Sequence, residues 1–312
     1  CTSGRTWLAT GRRWASRGAT RLLTATRAEL DLMDRDAVTQ WLTRTAPEIV
    51  VIAAGRVGGI LANSRYPADF LYENLMIEAN LIHGSWRSGV KRVLNFGSSC
   101  MYPRACPQPM TPDQLMTGTL EPTSEPYAMA KLVGLSLCAA YNRQHGTRFM
   151  TAIPCTAYGP GDSFDPEDAH VISAMIRKFH EAVEGRCDEV TLWGSGQPRR
   201  EFLYGDDLAE ACELLLEADR VFEPVNVGPG SSMSIREIAL AVAEVVGFRG
   251  RISWDRTRPD GAPEKCLESS VVRQMGWRPR TDLRTGLERT YRWFLAHHES
   301  VVAGRGAACT SS

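Results

Sequence analysis

The feature that most constrains this chain is the regular exchange of two hydrophobic periods through its first half. Apolar runs of strand length, "RLLTAT", "EIVVIAAG", "KRVLNFGSS" and "RFMTAIPCTAYGP", alternate with longer helical patterns, "DRDAVTQWLTRT", "ENLMIEANLIHGSWRSG" and "EPYAMAKLVGLSLCAAYNRQHG". Strands that alternate with helices in this way join a parallel sheet with helices on both faces. The expectation is therefore an α/β fold with a doubly wound parallel sheet. Asp34 stands where a helix N-cap is needed. From about residue 160 the rhythm changes to loops and isolated helices, among them "HVISAMIRKFHEAVEG" and "SIREIALAVAEVVG". This places the sheet domain in residues 1–160, with a returning segment near 200–230. A smaller lobe over the sheet's carboxyl edge is expected from 161–200 and 231–300, and a frayed small-residue tail from 301–312.

A chain of 312 residues is long enough for this two-part plan. The formal net charge is zero, so no global field draws the protein to nucleic acid or an anionic membrane. No apolar run approaches the roughly 18 residues that span a bilayer. Nine cysteines, an odd number, show no CxxC pairing, which argues against both a zinc site and a disulfide framework. Reduced thiols and the lack of a secretion signal point to a cytoplasmic protein without a metal.

Chemistry concentrates where the third apolar run ends, in "GSSCMYP", residues 97–103. Open α/β sheets bind ligands at the carboxyl ends of their strands, and this one ends in two hydroxyls and a thiol. Tyr127 and Lys131 lie four apart on one face of the following long helix. A phenol ordinarily titrates near 10, and a neighbouring ammonium favours its ionised form. A YxxxK spacing also arises by chance as two surface residues. Ser98 or Ser99 upstream gives the pair a third member, a hydroxyl able to hold a carbonyl against the tyrosine.

"GSSCMYP", "EPTSEPYAMAK" and "AAGRVGGILANSRYPADFLYENLMIEANLIH" resemble the extended short-chain dehydrogenase/reductases, and within them the GDP-L-fucose synthase family. "VGGI", "YPADF", "GTLEPT" and "WGSG" add to the likeness, which runs from about Thr26 to "WFLAHHE". The resemblance implies a Rossmann-type fold, NADP(H) as cofactor, a GDP-sugar as substrate and a homodimer. It implies that Ser98, Tyr127 and Lys131 serve ketone reduction, and that Cys100 and His170 exchange protons with the sugar during epimerisation. Tyr127, Lys131 and His170 would also border the cofactor. Lys178, Trp193, Arg200 and Lys265 match positions that face the nucleotide sugar, where a guanidinium suits phosphate oxygens. His145, His180, His297 and His298 keep the ordinary reading of surface or structural histidines. Thr156, Tyr204, Gly205 and Glu264 depart from the family pattern. Two rival readings remain: a degenerate homologue unable to hold NADPH, and another nucleotide-sugar epimerase or dehydratase, which would not need Cys100 and His170 together.

The largest departure is at the front. The family opens on a strand and a GxxGxxG loop whose backbone approaches the cofactor pyrophosphate. Counting back without gaps, that loop falls on "CTSGRTW": Gly4 matches the middle glycine, while Cys1 and Trp7 take the outer places. The family's first strand would then precede residue 1, as in a truncated or frame-disturbed gene start; alternatively "TWLAT" supplies a short strand. Arg27 matches an arginine at the 2′-phosphate of NADPH.

Overall fold

The computed structural model describes residues 21–165, 169–218 and 224–303. Helix α1 (Arg35–Thr45) opens on Asp34, whose carboxylate accepts from the backbone N–H groups of Asp36 and Ala37. The cap satisfies donors that the first turn leaves without partners. Then follow β1 (Ile49–Ile52), α2 (Ile60–Arg65), α3 (Pro67–Arg87), β2 (Arg92–Phe96), α4 (Glu125–His145) and β3 (Arg148–Pro154). The second half holds β4 (Thr156–Tyr158), α5 (Val171–Glu184), β5 (Glu189–Trp193), β6 (Arg199–Arg200), β7 (Phe202–Tyr204), α6 (Gly205–Glu217) and β8 (Val225–Val227). It closes with β9 (Met233–Ser234), α7 (Ile235–Val246), β10 (Arg251–Asp255), β11 (Glu264–Lys265), α8 (Ser270–Gln274) and α9 (Leu283–Ala303).

The main sheet among the described residues has four strands in the order β1-β2-β3-β8. All pairs are parallel, with Val50 opposite Val93, Leu94 opposite Met150 and Ala152 opposite Val225. The Rossmann-type expectation holds. Alternation along each strand divides the apolar side chains between two cores. Leu94, Met150 and Ala152 pack with Leu208 and Leu215 of α6. Val93 and Phe149 face the other way, onto Leu42 of α1, Ile82 of α3 and Cys138 of α4. Each fully buried large aliphatic contributes about 1.5–3 kcal/mol, so a run such as "RVLNF" is stable only between two helical layers.

A separate core joins Ile172, Ile176 and Phe179 of α5 to Ile238 and Val242 of α7 and to Leu287 and Phe294 of α9. Small sheets border it, β5 with β10 and β6 between β11 and β9.

Three expectations need correction. "RLLTAT" forms no strand: residues 21–26 carry no regular structure and Leu22 is 47% exposed. Among the described residues no strand pairs with them, and an isolated extended segment has no ladder to hold it. The run 148–158 is not one strand. It breaks at Cys155, whose N–H still donates to Val227 O of β8 at 3.0 Å, and β4 then pairs with β7 instead of β8. Finally, α9 runs through Ala303, three residues into the expected tail. Gly4, the "CTSGRTW" loop, "TWLAT" and residues 304–312 lie outside the described residues.

Candidate functional site

At the carboxyl end of β2 the chain tightens into a single turn of helix over Ser99–Met101. Ser98 caps it: its Oγ accepts from the Cys100 backbone N–H at 3.2 Å. The cap places the Ser98 hydroxyl and the Cys100 thiol side by side at the mouth of the sheet. Both line a cleft of about 560 Å³ between the main sheet and the second core. Tyr127 reaches the same cleft from the first turn of α4, and His170 from the residue before α5.

The thiol sits in an ordered polar surround. Lys265 Nζ, on β11, donates to Cys100 Sγ at 3.4 Å. Burial works to raise the thiol, but the Lys265 ammonium and hydrogen bonds with Ser98 and Ser124 prevail and bring it down to about 7. Near neutral pH a large share is thiolate, the form that can remove a proton. Tyr127 goes the other way. Burial, then the charges of Cys100 and Glu78, drive the phenol well above its usual value, against a lowering hydrogen bond with Ser98. Its expected neighbour is differently engaged: Lys131 Nζ lies 5.9 Å from the tyrosine ring centre and donates to Glu78 Oε1 at 2.5 Å. The expectation that Lys131, besides bordering the cofactor, keeps Tyr127 acidic meets a competing partner, because a buried carboxylate takes up that ammonium.

Across the cleft stand the residues assigned to the nucleotide sugar. Lys178 on α5 donates to Thr191 O at 2.6 Å, and burial lowers its ammonium. Trp193, 47% exposed at the end of β5, carries the Arg258 guanidinium 5.1 Å above its ring. Arg200 on β6 lines the cleft; burial lowers its guanidinium against the charges of Cys100, Glu121, Asp260 and Glu264. The "WGSG" motif shapes this wall. Gly196 has φ +74, and a Cβ there would stand 2.7 Å from the Trp254 ring, so only glycine lets the loop close down.

The departures from the family pattern are absorbed locally. Glu264 accepts from Ser232 Oγ at 2.6 Å and faces Arg199 at 3.8 Å. Tyr204 packs edge-on against Tyr158, with ring centres 5.8 Å apart. Thr156 lines the cleft.

Sequence reasoning missed two carboxylates. Glu121 lines the cleft and is buried, with Thr123 Oγ1 donating to it at 3.3 Å. Glu78 lies under Lys131. The position of Glu121 within "GTLEPT", next to the tyrosine helix, was a signal for the first; nothing in the helical pattern of α3 marked the second.

Gly55 follows β1 at the sheet mouth, and a Cβ there would meet Asn74 Oδ1 at 2.6 Å and approach Lys131 Nζ to 4.0 Å. Glycine at 55 lets the Asn74 side chain close onto the backbone beside the ammonium, where its Oδ1 accepts from Arg56 N–H at 3.0 Å. Arg27 is exposed in a turn before α1 and does not line the cleft.

Residues 2–228 match the NAD dependent epimerase/dehydratase family. The GDP-L-fucose synthase 1 of Arabidopsis thaliana is 47% identical over 284 residues, covering 91% of this chain and 88% of the plant protein. The GDP-L-fucose synthase of Escherichia coli strain K12 is 44% identical, covering 92% of each. This chain belongs to the GDP-L-fucose synthase group of that family. Among solved structures, a GDP-mannoheptose C4 reductase from Campylobacter jejuni with NADP bound superposes with a TM-score of 0.83 at 32% identity, covering 93% of this chain and 95% of that one.

Proposed function

We propose that this protein converts GDP-4-keto-6-deoxy-D-mannose to GDP-L-fucose by epimerising C3 and C5 and reducing the C4 ketone. The observation that carries the reading is the convergence of Ser98, Cys100, Tyr127 and His170 on one cleft. A dehydratase or simple 4-epimerase has no use for the thiol–imidazole pair. The relatives at 44–47% identity support the same substrate.

The C4 ketone acidifies the hydrogens at C3 and C5. Cys100, held near pH 7 by Lys265, removes a proton as thiolate, and His170 returns one on the opposite face of the ring. Ser98 and Tyr127 hold the carbonyl oxygen, and Tyr127 gives it a proton during reduction. NADPH, when bound, supplies the hydride to C4. The resemblance assigns its ribose to Lys131, its pyrophosphate to the Gly4 loop and its 2′-phosphate to Arg27. Lys178, Trp193 and Arg200 hold the nucleotide diphosphate, with Arg200 suited to paired phosphate oxygens. Lys265 stands between thiol and sugar.

The division of labour follows the two cores, with cofactor on the main sheet and nucleotide sugar on the second. Exposed Leu71 and Tyr72 on α3 and Met129 and Val133 on α4 support a homodimer. Light scattering on the purified chain tests it. The seven described cysteines are all free, in keeping with a reducing cytoplasm. Among the described residues no helix is long and apolar enough to cross a membrane.

The test is product analysis after incubating the protein with GDP-4-keto-6-deoxy-D-mannose and NADPH. GDP-L-fucose is the expected product. A product reduced at C4 without inversion would replace this reading with that of a simple reductase, and absence of NADPH binding would favour the degenerate homologue.

A further inference from the structure

No step above requires the ion pair between Glu78 and Lys131. A glutamate midway along a surface helix ordinarily points to water, yet the Glu78 side chain is 1% exposed and that of Lys131 is 3%. Asn95 Nδ2, on the central strand β2, reaches Glu78 Oε2 at 3.5 Å. The chain makes room for this carboxylate. Gly134 follows Lys131 by one helical turn, and a Cβ there would fall 1.5 Å from Oε2. Any larger residue at 134 would force Glu78 away.

Withdrawing two charges from water is costly, and an apolar pair of similar volume often serves stability as well or better. The position of the pair suggests a chemical reason. Four groups bear on the Tyr127 phenol: Cys100 and Ser98 from the turn after β2, Glu78 from α3, and Lys131 from its own helix. An ammonium without a counter-charge would draw the phenol toward phenolate. A phenolate has no proton to give a carbonyl oxygen.

We propose that Glu78 is a positioning residue for the reduction: it fixes the Lys131 ammonium beneath Tyr127 and offsets its charge, so that Tyr127 meets the ketone as a phenol. This rests on the reading of Tyr127 as proton donor. It also gives the glycine at 134 a role, since that position must stay open for the carboxylate. Burial and the charges of Cys100 and Glu78 hold the phenol high, and Glu78 is the member of that set whose charge can be removed with little change of shape.

Glu78→Gln keeps an oxygen for Lys131 and removes the charge. The readout is tyrosinate ultraviolet absorbance as a function of pH, without substrate or cofactor. Tyr127→Phe in both backgrounds isolates the Tyr127 contribution. Ionisation of Tyr127 is expected to move down by about one pH unit or more in Glu78→Gln; unchanged ionisation overturns the proposal, whether or not the protein acts on a GDP-sugar. The alkaline limb of ketone reduction is expected to move down with it, and a uniform loss of rate with the limb unmoved overturns the proposal as well. Should the glutamine variant fail to fold, Glu78→Asp retains the charge but draws it away from Nζ. It is expected to move the same titration down by a smaller interval, and a titration identical to that of the unaltered chain overturns the proposal. Failure to turn over the GDP-sugar with the titration shifted as expected would count against the function alone.

Discussion

The two walls of the cleft are built differently. On the main-sheet side, Ser98 and Tyr127 are 8% and 6% exposed and stand on a strand end and a helix, two of the stiffest elements available. Their neighbour Cys100 is fixed by contacts with Ser98 and Lys265. On the opposite side, Trp193 is 47% exposed, and the cations Lys178 and Arg200 reach inward on long stems from α5 and a two-residue strand. The difference follows from the work assigned to each wall. Proton transfer needs donor and acceptor within a fraction of an ångström of the productive geometry. Holding a diphosphate needs charge and reach, which flexible cations provide.

Substitutions on the first wall should therefore change the rate of chemistry, and those on the second should change binding. The largest effect is expected from Tyr127→Phe, which removes the proton donor and lowers kcat for ketone reduction by roughly 10²–10⁴-fold, with the thermal unfolding midpoint little changed. A comparable loss in KM instead would break the comparison.

Cys100→Ser is next. Epimerised product is expected to fall by about 10²-fold while some ketone reduction persists, as measured by chromatography of the product sugars. Equal loss of both activities would reject the separation of roles along the first wall.

Lys265→Met sharpens the comparison, because Lys265 comes from the second half of the chain but acts on the first wall. In the unaltered protein, alkylation of Cys100 is expected to rise with pH through about 7, because burial of the thiol is outweighed by the Lys265 ammonium and by Ser98 and Ser124. Without the ammonium, the midpoint is expected to move upward by about one unit, so reactivity at neutral pH falls and recovers in alkali. An unmoved midpoint would mean that Lys265 serves only the nucleotide.

Smaller effects belong to the second wall. Arg200→Ala is expected to raise KM for the GDP-sugar about tenfold, equivalent to ~1.4 kcal/mol, with kcat within a few-fold. Trp193→Ala should cost about threefold in KM.

The sequence made the sheet and the first wall largely legible, because their logic is local. Asp34 capped the helix it precedes, and apolar runs marked three of the main strands. "GSSCMYP" put its hydroxyl and thiol at the strand end, where the sheet opens. What stayed hidden was non-local. The contact between Lys265 and Cys100 joins residues 165 apart in sequence, and no spacing announces it. Glu78 had the periodicity of an ordinary helical glutamate. It is buried only because Gly134, on another helix, leaves a space for it, and so the sequence offered Lys131 the phenol and the cofactor as partners but not this carboxylate. The segment 21–26 had the composition of a strand but, among the described residues, no partner, and composition cannot supply one.

The most direct test of the central claim, that one cleft carries both proton exchange and ketone reduction, is turnover in deuterated water. The account predicts that the unaltered protein yields sugar carrying solvent deuterium at both C3 and C5. It predicts that Cys100→Ser yields C4-reduced sugar with little deuterium at those carbons. Reduced product from the unaltered protein free of deuterium at C3 and C5, or undiminished exchange in Cys100→Ser, would contradict it.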